Sequence, residues 1–168
     1  MSFSSEEPYK RWWGVEILDH SPECINLERI NSIGCMLFNH NRDKVIGRIV
    51  ETWVDGNRCS AKVQFDDDEQ SELIRKKVTS GTLKGVSVGY AVESWENVKP
   101  GGRSSDGRFT GPCDIARRWE PFEISIVSVP ADPTVGVGRE TEGTRSGRTL
   151  DIYSRQLQIN NSNFAHRF

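Results

Sequence analysis

Nucleophilic serine chemistry needs a hydroxyl, a base within hydrogen-bond reach and an acceptor that orients the base. The chain has only three histidines to serve as that base, His20, His40 and His166. His20 lies in Asp19-His20-Ser21-Pro22, which reads as a turn, and His166 falls in a polar C-terminal stretch. His40 directly follows the apolar run Cys35 to Phe38, in Phe38-Asn39-His40-Asn41-Arg42-Asp43. A histidine at a strand end, flanked by Asn and charges, is placed like a site residue, although an isolated surface histidine is the commoner case. Ser87 stands in Gly85-Val86-Ser87-Val88-Gly89, a literal G-x-S-x-G. In an α/β-hydrolase that pattern marks a nucleophile on a sharp strand-to-helix turn. Here Tyr90, Val92 and the alternation up to Trp95 continue a strand, and the only histidine after the serine is His166, so the hydrolase elbow is rejected. Ser87, Gly89 and Ala91 share the face opposite the valines. A hydroxyl above two small side chains leaves room for an extended peptide, or simply for close packing of another element. The candidate acceptor is Glu123, which shares a strand face with Ser125, Val127 and Val129 while Phe122, Ile124 and Ile126 take the other. Burying a carboxylate there is costly unless it is paired, and imidazole is a natural partner. An edge-strand glutamate facing solvent is the competing reading.

The elements that must position these groups are mainly β. Arg58 to Phe65 alternates strictly, and Val45 to Val54 before it is rich in β-branched residues, with Asp55-Gly56-Asn57 as the hairpin turn. One helix follows: Asp66-Asp67-Asp68 offers an N-cap, Leu73, Ile74 and Val78 form an apolar face, and Gly81 suits the C-terminal cap. Val86 to Trp95 and Phe122 to Val129 read as strands, the latter ended by Pro130 and Pro133, and Pro100 to Pro112 reads as a mobile Gly/Ser loop. One helix among five or more strands argues for a β-barrel or sandwich with helical decoration.

Composition narrows the function classes. A chain of 168 residues is one domain's length. Its 22 Lys and Arg against 24 Asp and Glu give a net charge of −2, which speaks against a nucleic-acid binder that works by neutralising phosphates. No apolar run approaches a membrane span, and Met-Ser-Phe-Ser-Ser-Glu-Glu is unlike a secretory signal. Cys24, Cys35, Cys59 and Cys113 form no Cys-x-x-Cys pair and have no histidine at zinc-finger spacing. They are read as free thiols of a reducing cytoplasm, with neither metal nor cofactor expected. Residues 1–8 are polar and expected to be disordered. Residues 9–138 carry the periodic pattern of one domain. Residues 139–168, rich in Gly, Ser, Thr and Asn, are expected to form a flexible tail in which Leu150 to Ile159 could hold at most a turn or two of helix.

Three separated motifs then occur in order: Leu37 to Asp43 around His40, Gly85 to Tyr90 around Ser87, and Trp119-Glu120-Pro121-Phe122-Glu123 running on to Pro133. Together with Arg11-Trp12-Trp13-Gly14-Val15-Glu16 they resemble the prohead (capsid-maturation) serine proteases of tailed bacteriophages, over roughly residues 9–139. The resemblance implies a closed β-barrel similar to the herpesvirus assembly proteases, with His40 as base, Ser87 as nucleophile and Glu123 as orienting acid. It implies an endopeptidase working inside the prohead in the bacterial host cytoplasm. Its substrates would be scaffold or the N-terminal segment of the major capsid protein, with self-processing, and a homo-oligomer is compatible with it. The rival is a β-rich head-assembly protein that keeps the fold without catalysis. No fused scaffold segment is visible, so scaffold function is expected from another chain or from the capsid protein. For the oxyanion donor, Arg117-Arg118 is suggested by the arginine-bearing loop of the assembly proteases. A backbone N–H beside Ser87 or from the Pro100 to Pro112 loop is the alternative. Glu120 and Glu123, three residues apart, point to opposite faces of a regular strand, so only one can reach His40, unless a bulge at Pro121 breaks the alternation.

Overall fold

A long strand with two short parallel neighbours organises the chain. The computed structural model describes residues 1–137. Their elements run β1 (Ser2–Ser5), β2 (Tyr9–Arg11), β3 (Gly14–Leu18), α1 (Glu28–Ile33), β4 (Cys35–Phe38), β5 (Asn41–Asp55), β6 (Arg58–Phe65), α2 (Glu69–Thr79), β7 (Gly85–Val98) and β8 (Cys113–Val127). β8 is 15 residues long. Antiparallel β7 covers one edge of it from end to end, while on the other edge β3 pairs with Glu16 to Leu18 and β4 with Cys35 to Phe38, both parallel. From β4 the sheet continues through β5 and β6 to β1.

Mainly β with few helices is therefore correct, but the sheet is a curled half-barrel and its closure is not seen. Its outer strands β1 and β7 do not pair with each other. Residues 135–137 stitch that side instead, with Gly136 N–H donating to Ser2 O and Val137 N–H donating to Lys84 O. The tail at 139–168, with Leu150 to Ile159, lies outside the described residues.

Inside the curl sit Ile30, Met36, Ile46, Val86, Ile124 and Ile126, all fully buried, together with Trp119. The β5–β6 hairpin turns at Gly56, whose φ of 59° is the left-handed conformation that such turns require. α2 starts where Asp68 accepts a hydrogen bond from Ser71 N–H, and past its end Gly81 adopts φ 76°. Its buried apolar contact is Ile74, whereas Leu73 is exposed.

Residues 1–8, expected to be disordered, instead begin with β1. Phe3 plugs the core at 1% exposure, and two of the serines beside it are paired internally: Ser4 Oγ meets His20 Nε2 at 2.8 Å and Ser5 Oγ donates to Asp132, while the buried Ser2 hydroxyl has no partner among the described residues. Serines hide their hydroxyls well in such pairs, which is why the segment looks solvated when read as sequence.

Candidate active site

Strand register brings the serine and the glutamate together. On β8, Glu123 is flanked by Cys35 of β4 and Gly89 of β7, and Ser125 is flanked by Leu37 and Ser87. Ser87, Ser125 and Glu123 therefore share the outer face, while Val86, Ile124 and Ile126 fill the core behind them. Gly89 has a specific purpose. A Cβ there would collide with Glu123 Oε1 and come within 2.7 Å of Phe122 Cε2, so the missing side chain makes room for the carboxylate rather than for a peptide.

His40 arrives from a two-residue turn between β4 and β5. Asn39 and His40 both have positive φ, 53° and 56°, the pattern of a type I′ hairpin. For a histidine this conformation costs about 1–2 kcal/mol, and β8 holds it in place. Asn39 N–H donates to Ile126 O at 2.9 Å, Asn39 Oδ1 accepts from Ser128 N–H at 3.0 Å, and His40 N–H donates to Ser125 Oγ at 3.1 Å.

The imidazole bridges the other two groups. His40 Nδ1 lies 2.6 Å from Glu123 Oε1 and Nε2 lies 2.9 Å from Ser87 Oγ. A carboxylate only accepts, so Nδ1 carries the proton and Nε2 presents its lone pair to the serine hydroxyl. The side chain of His40 is 45% exposed and that of Glu123 only 8%. The hydrogen bond to Glu123 raises the His40 pKa above its ordinary value and outweighs the opposing effect of burial. Chemically, this is a hydroxyl with a neutral base in contact and an anion placed to stabilise that base once protonated.

Other candidates lie elsewhere. His20 is buried, with Nδ1 donating to Leu18 O and Nε2 accepting from Ser4, so it pins β1. His166 is outside the described residues. Glu120 does not oppose Glu123 across the strand as regular alternation predicts. The β7–β8 register shifts between Gly89 and Tyr90, leaving Phe122 unpaired, and Glu120 then faces Ala91. What separates the two carboxylates is their partners: Glu120 turns to Asn26 and Arg29 instead of His40.

The arginines proposed as oxyanion donors are remote. Arg118 faces Ser94, seven residues along β7 from Ser87 and thus roughly 23 Å away. Arg117 joins Glu96, Asp106 and fully buried Asp19. Burial alone would raise the Asp19 carboxyl, but hydrogen bonds from Ser21, Arg108 and Arg117 prevail and hold it well below the carboxylate range. The Pro100 to Pro112 loop sits at the same far end, tied down by Ser105 to Glu96 and by Arg108 to Glu6 and Asp19.

All four cysteines are free, and burial pushes the Cys24 and Cys59 thiols up to about 11 and about 12, away from reactivity. Ser125 was the partner that sequence reasoning passed over. Its one available signal was its position two residues from Glu123 on the same strand face.

Two cavities adjoin these residues, one at the serine and one at the glutamate. One, of about 210 Å³, opens between β1 and β7 beside Ser87 and His40, with Phe3, Val86, Val88, Val135, Glu16 and Tyr90 in its walls. The other, of about 340 Å³, lies beyond Glu123 among Arg29, Ile33, Leu37, Ala91 and Phe122.

A hydroxyl, an imidazole and a carboxylate in hydrogen-bonded series form an arrangement that serine hydrolases of unrelated folds use. A family model described as caudovirus prohead serine protease matches residues 26–146, and the chain belongs to that family. It is 40% identical over 154 residues to a protein of Halomonas phage phiHAP-1 called major capsid protein, covering 89% of this chain and 24% of that one. It is 29% identical over 103 residues to the capsid polyprotein of Pseudomonas phage PAJU2, covering 57% and 14% respectively. The chain thus spans about a quarter or less of the curated relatives it matches. No solved structure matches it significantly.

Proposed function

We propose that the chain is a serine endopeptidase of phage head maturation, with Ser87 as nucleophile, His40 as general base and Glu123 as orienting acid. The observation that carries this reading is the unbroken series Ser87 Oγ, His40 Nε2, His40 Nδ1 and Glu123 Oε1, with contacts of 2.9 and 2.6 Å. His40 takes the hydroxyl proton as Ser87 attacks a peptide carbonyl. The imidazolium then protonates the leaving amine, and the same base activates the water that releases the acyl group. With both arginines and the Pro100 to Pro112 loop distant, the oxyanion donors fall to backbone N–H groups near Ser87. They are available because β7, among the described residues, pairs as a strand only with β8.

That two relatives are named as capsid proteins supports the capsid chain as the first substrate of this reading, either a separate molecule or a continuation of this polypeptide. Self-processing and scaffold cleavage belong to the same proposal. The site of action would be the prohead in the host cytoplasm. The test is co-expression with the capsid protein, followed by mass measurement of the capsid chain and labelling with a fluorophosphonate. Ser87→Ala should remove the label and lower processing by about 10⁴ to 10⁶ with an unchanged melting point. Full processing by that variant refutes the assignment, and a silent wild-type chain in maturing proheads supports a purely structural head protein.

A further inference from the structure

We infer that Ser125 is a positioning residue of this site, one that couples the backbone of His40 to the carboxylate that orients its ring. The inference rests on the assignment of His40 as base. Ser125 is fully buried, and its hydroxyl has two partners. It accepts from His40 N–H at 3.1 Å and donates to Glu123 Oε2 at 2.8 Å. Glu123 Oε1 in turn meets His40 Nδ1 at 2.6 Å. These contacts close a ring of three hydrogen bonds that leaves the His40 backbone and returns to its own imidazole.

The direction of each bond follows from chemistry. An amide N–H can only donate and a carboxylate can only accept, so the single proton of Ser125 is committed to Glu123. Both carboxylate oxygens then have fixed donors, and the carboxylate is anchored facing Nδ1. The backbone arm matters because His40 holds a positive φ of 56°, which the chain would relax if it were not tied down. β8 supplies both arms from neighbouring same-face positions, so the strand that carries the acid also sets the pose of the base. Removing the hydroxyl leaves the His40 N–H and one carboxylate oxygen short of a partner, and the imidazole is then free to drift from Ser87.

The test is inactivation of the full chain by a fluorophosphonate, with the maximal rate kinact and the concentration dependence KI read on the folded fraction. Ser125→Ala is expected to lower kinact about 10- to 100-fold, the effect of losing hydrogen bonds to a charged group, with KI nearly unchanged. Ser125→Thr, which keeps the hydroxyl, should recover most of the loss. The downfield proton resonance of the His40 Nδ1–H in wild type should broaden or move in Ser125→Ala. If the alanine variant does not fold, Ser125→Cys, similar in shape with a weak donor, takes its place and should show the same changes in smaller degree. A folded Ser125→Ala or Ser125→Cys chain with wild-type kinact and an unmoved resonance overturns the inference while Ser87→Ala stays unlabelled. Labelling that persists in Ser87→Ala overturns the underlying assignment instead.

Discussion

Replacing Glu123 by glutamine changes one carboxylate oxygen into an NH₂ and removes a charge, and the surrounding hydrogen bonds decide which way the amide turns. Ser125 Oγ–H needs an acceptor at 2.8 Å, and glutamine can offer only its single oxygen. With the oxygen turned to Ser125, the NH₂ faces His40 Nδ1, which must then accept. The ring proton moves to Nε2, where it points at Ser87 and leaves no lone pair for the hydroxyl. Losing the charged hydrogen bond alone, roughly 1.5–3 kcal/mol, would slow the reaction about 10- to 150-fold. Adding the wrong tautomer brings the expected loss towards about 10⁴, the size seen in the best-characterised serine triad.

The pH profile gives a second reading. Hydrogen bonding to Glu123 raises the His40 pKa, and the base works only when neutral, so wild-type activity should fall away as pH drops through that raised value. In Glu123→Gln this acidic limb should move to lower pH while the plateau collapses. Stability runs the opposite way, because a raised folded pKa contributes at low pH and its contribution is lost as pH rises through it. The assay is fluorophosphonate labelling across pH, with capsid-chain processing alongside. Glu120→Gln serves as the control and should stay within about tenfold of wild type. The reasoning fails if Glu120→Gln is the crippled variant, or if Glu123→Gln labels at the wild-type rate with an unmoved acidic limb.

Three further outcomes are expected. Gly89→Ala should displace the Glu123 carboxylate, whose oxygen occupies the place of the new methyl, and slow labelling about 10- to 100-fold; an unaffected rate would mean that the carboxylate is not held over Gly89. Phe3→Ala should cost about 3–5 kcal/mol in denaturant unfolding, since Phe3 is 1% exposed, and an unchanged midpoint would return residues 1–8 to the solvent. Arg117→Ala leaves fully buried Asp19 with fewer charged partners, so stability should drop by about 3 kcal/mol. Its labelling rate per folded molecule should hold within about twofold, and a collapse of that rate would put the arginine back at the chemistry.

Residue type and local pattern mark His40, Ser87 and Glu123 only as candidates: a histidine at the end of an apolar run, a serine among small residues on an alternating strand, a carboxylate inside an apolar one. Each pattern equally fits an ordinary structural residue, and the resemblance to the prohead proteases is what joined the three into one proposed site. The β6 strand and the α2 cap were legible directly, since period and capping chemistry are local. Pairing across the chain was not. His40 and Glu123 are 83 residues apart and His40 and Ser87 47, and only the register of β4 and β7 on β8 brings them within 3 Å. Alternation set Glu120 against Glu123 on opposite faces, but the extra residue at Phe122 undid that, because a bulge depends on the partner strand as much as on its own residues. The adjacent arginines looked available for catalysis until Asp19, Glu96 and Asp106 were found to hold Arg117, a set drawn from three separate segments. The polar opening looked solvated until Phe3 and three buried serines docked as β1. Side-chain chemistry and short-range periodicity belong to the sequence. Which groups meet belongs to the sheet, because a strand's neighbours are chosen by long-range burial and hydrogen bonding that no local window contains.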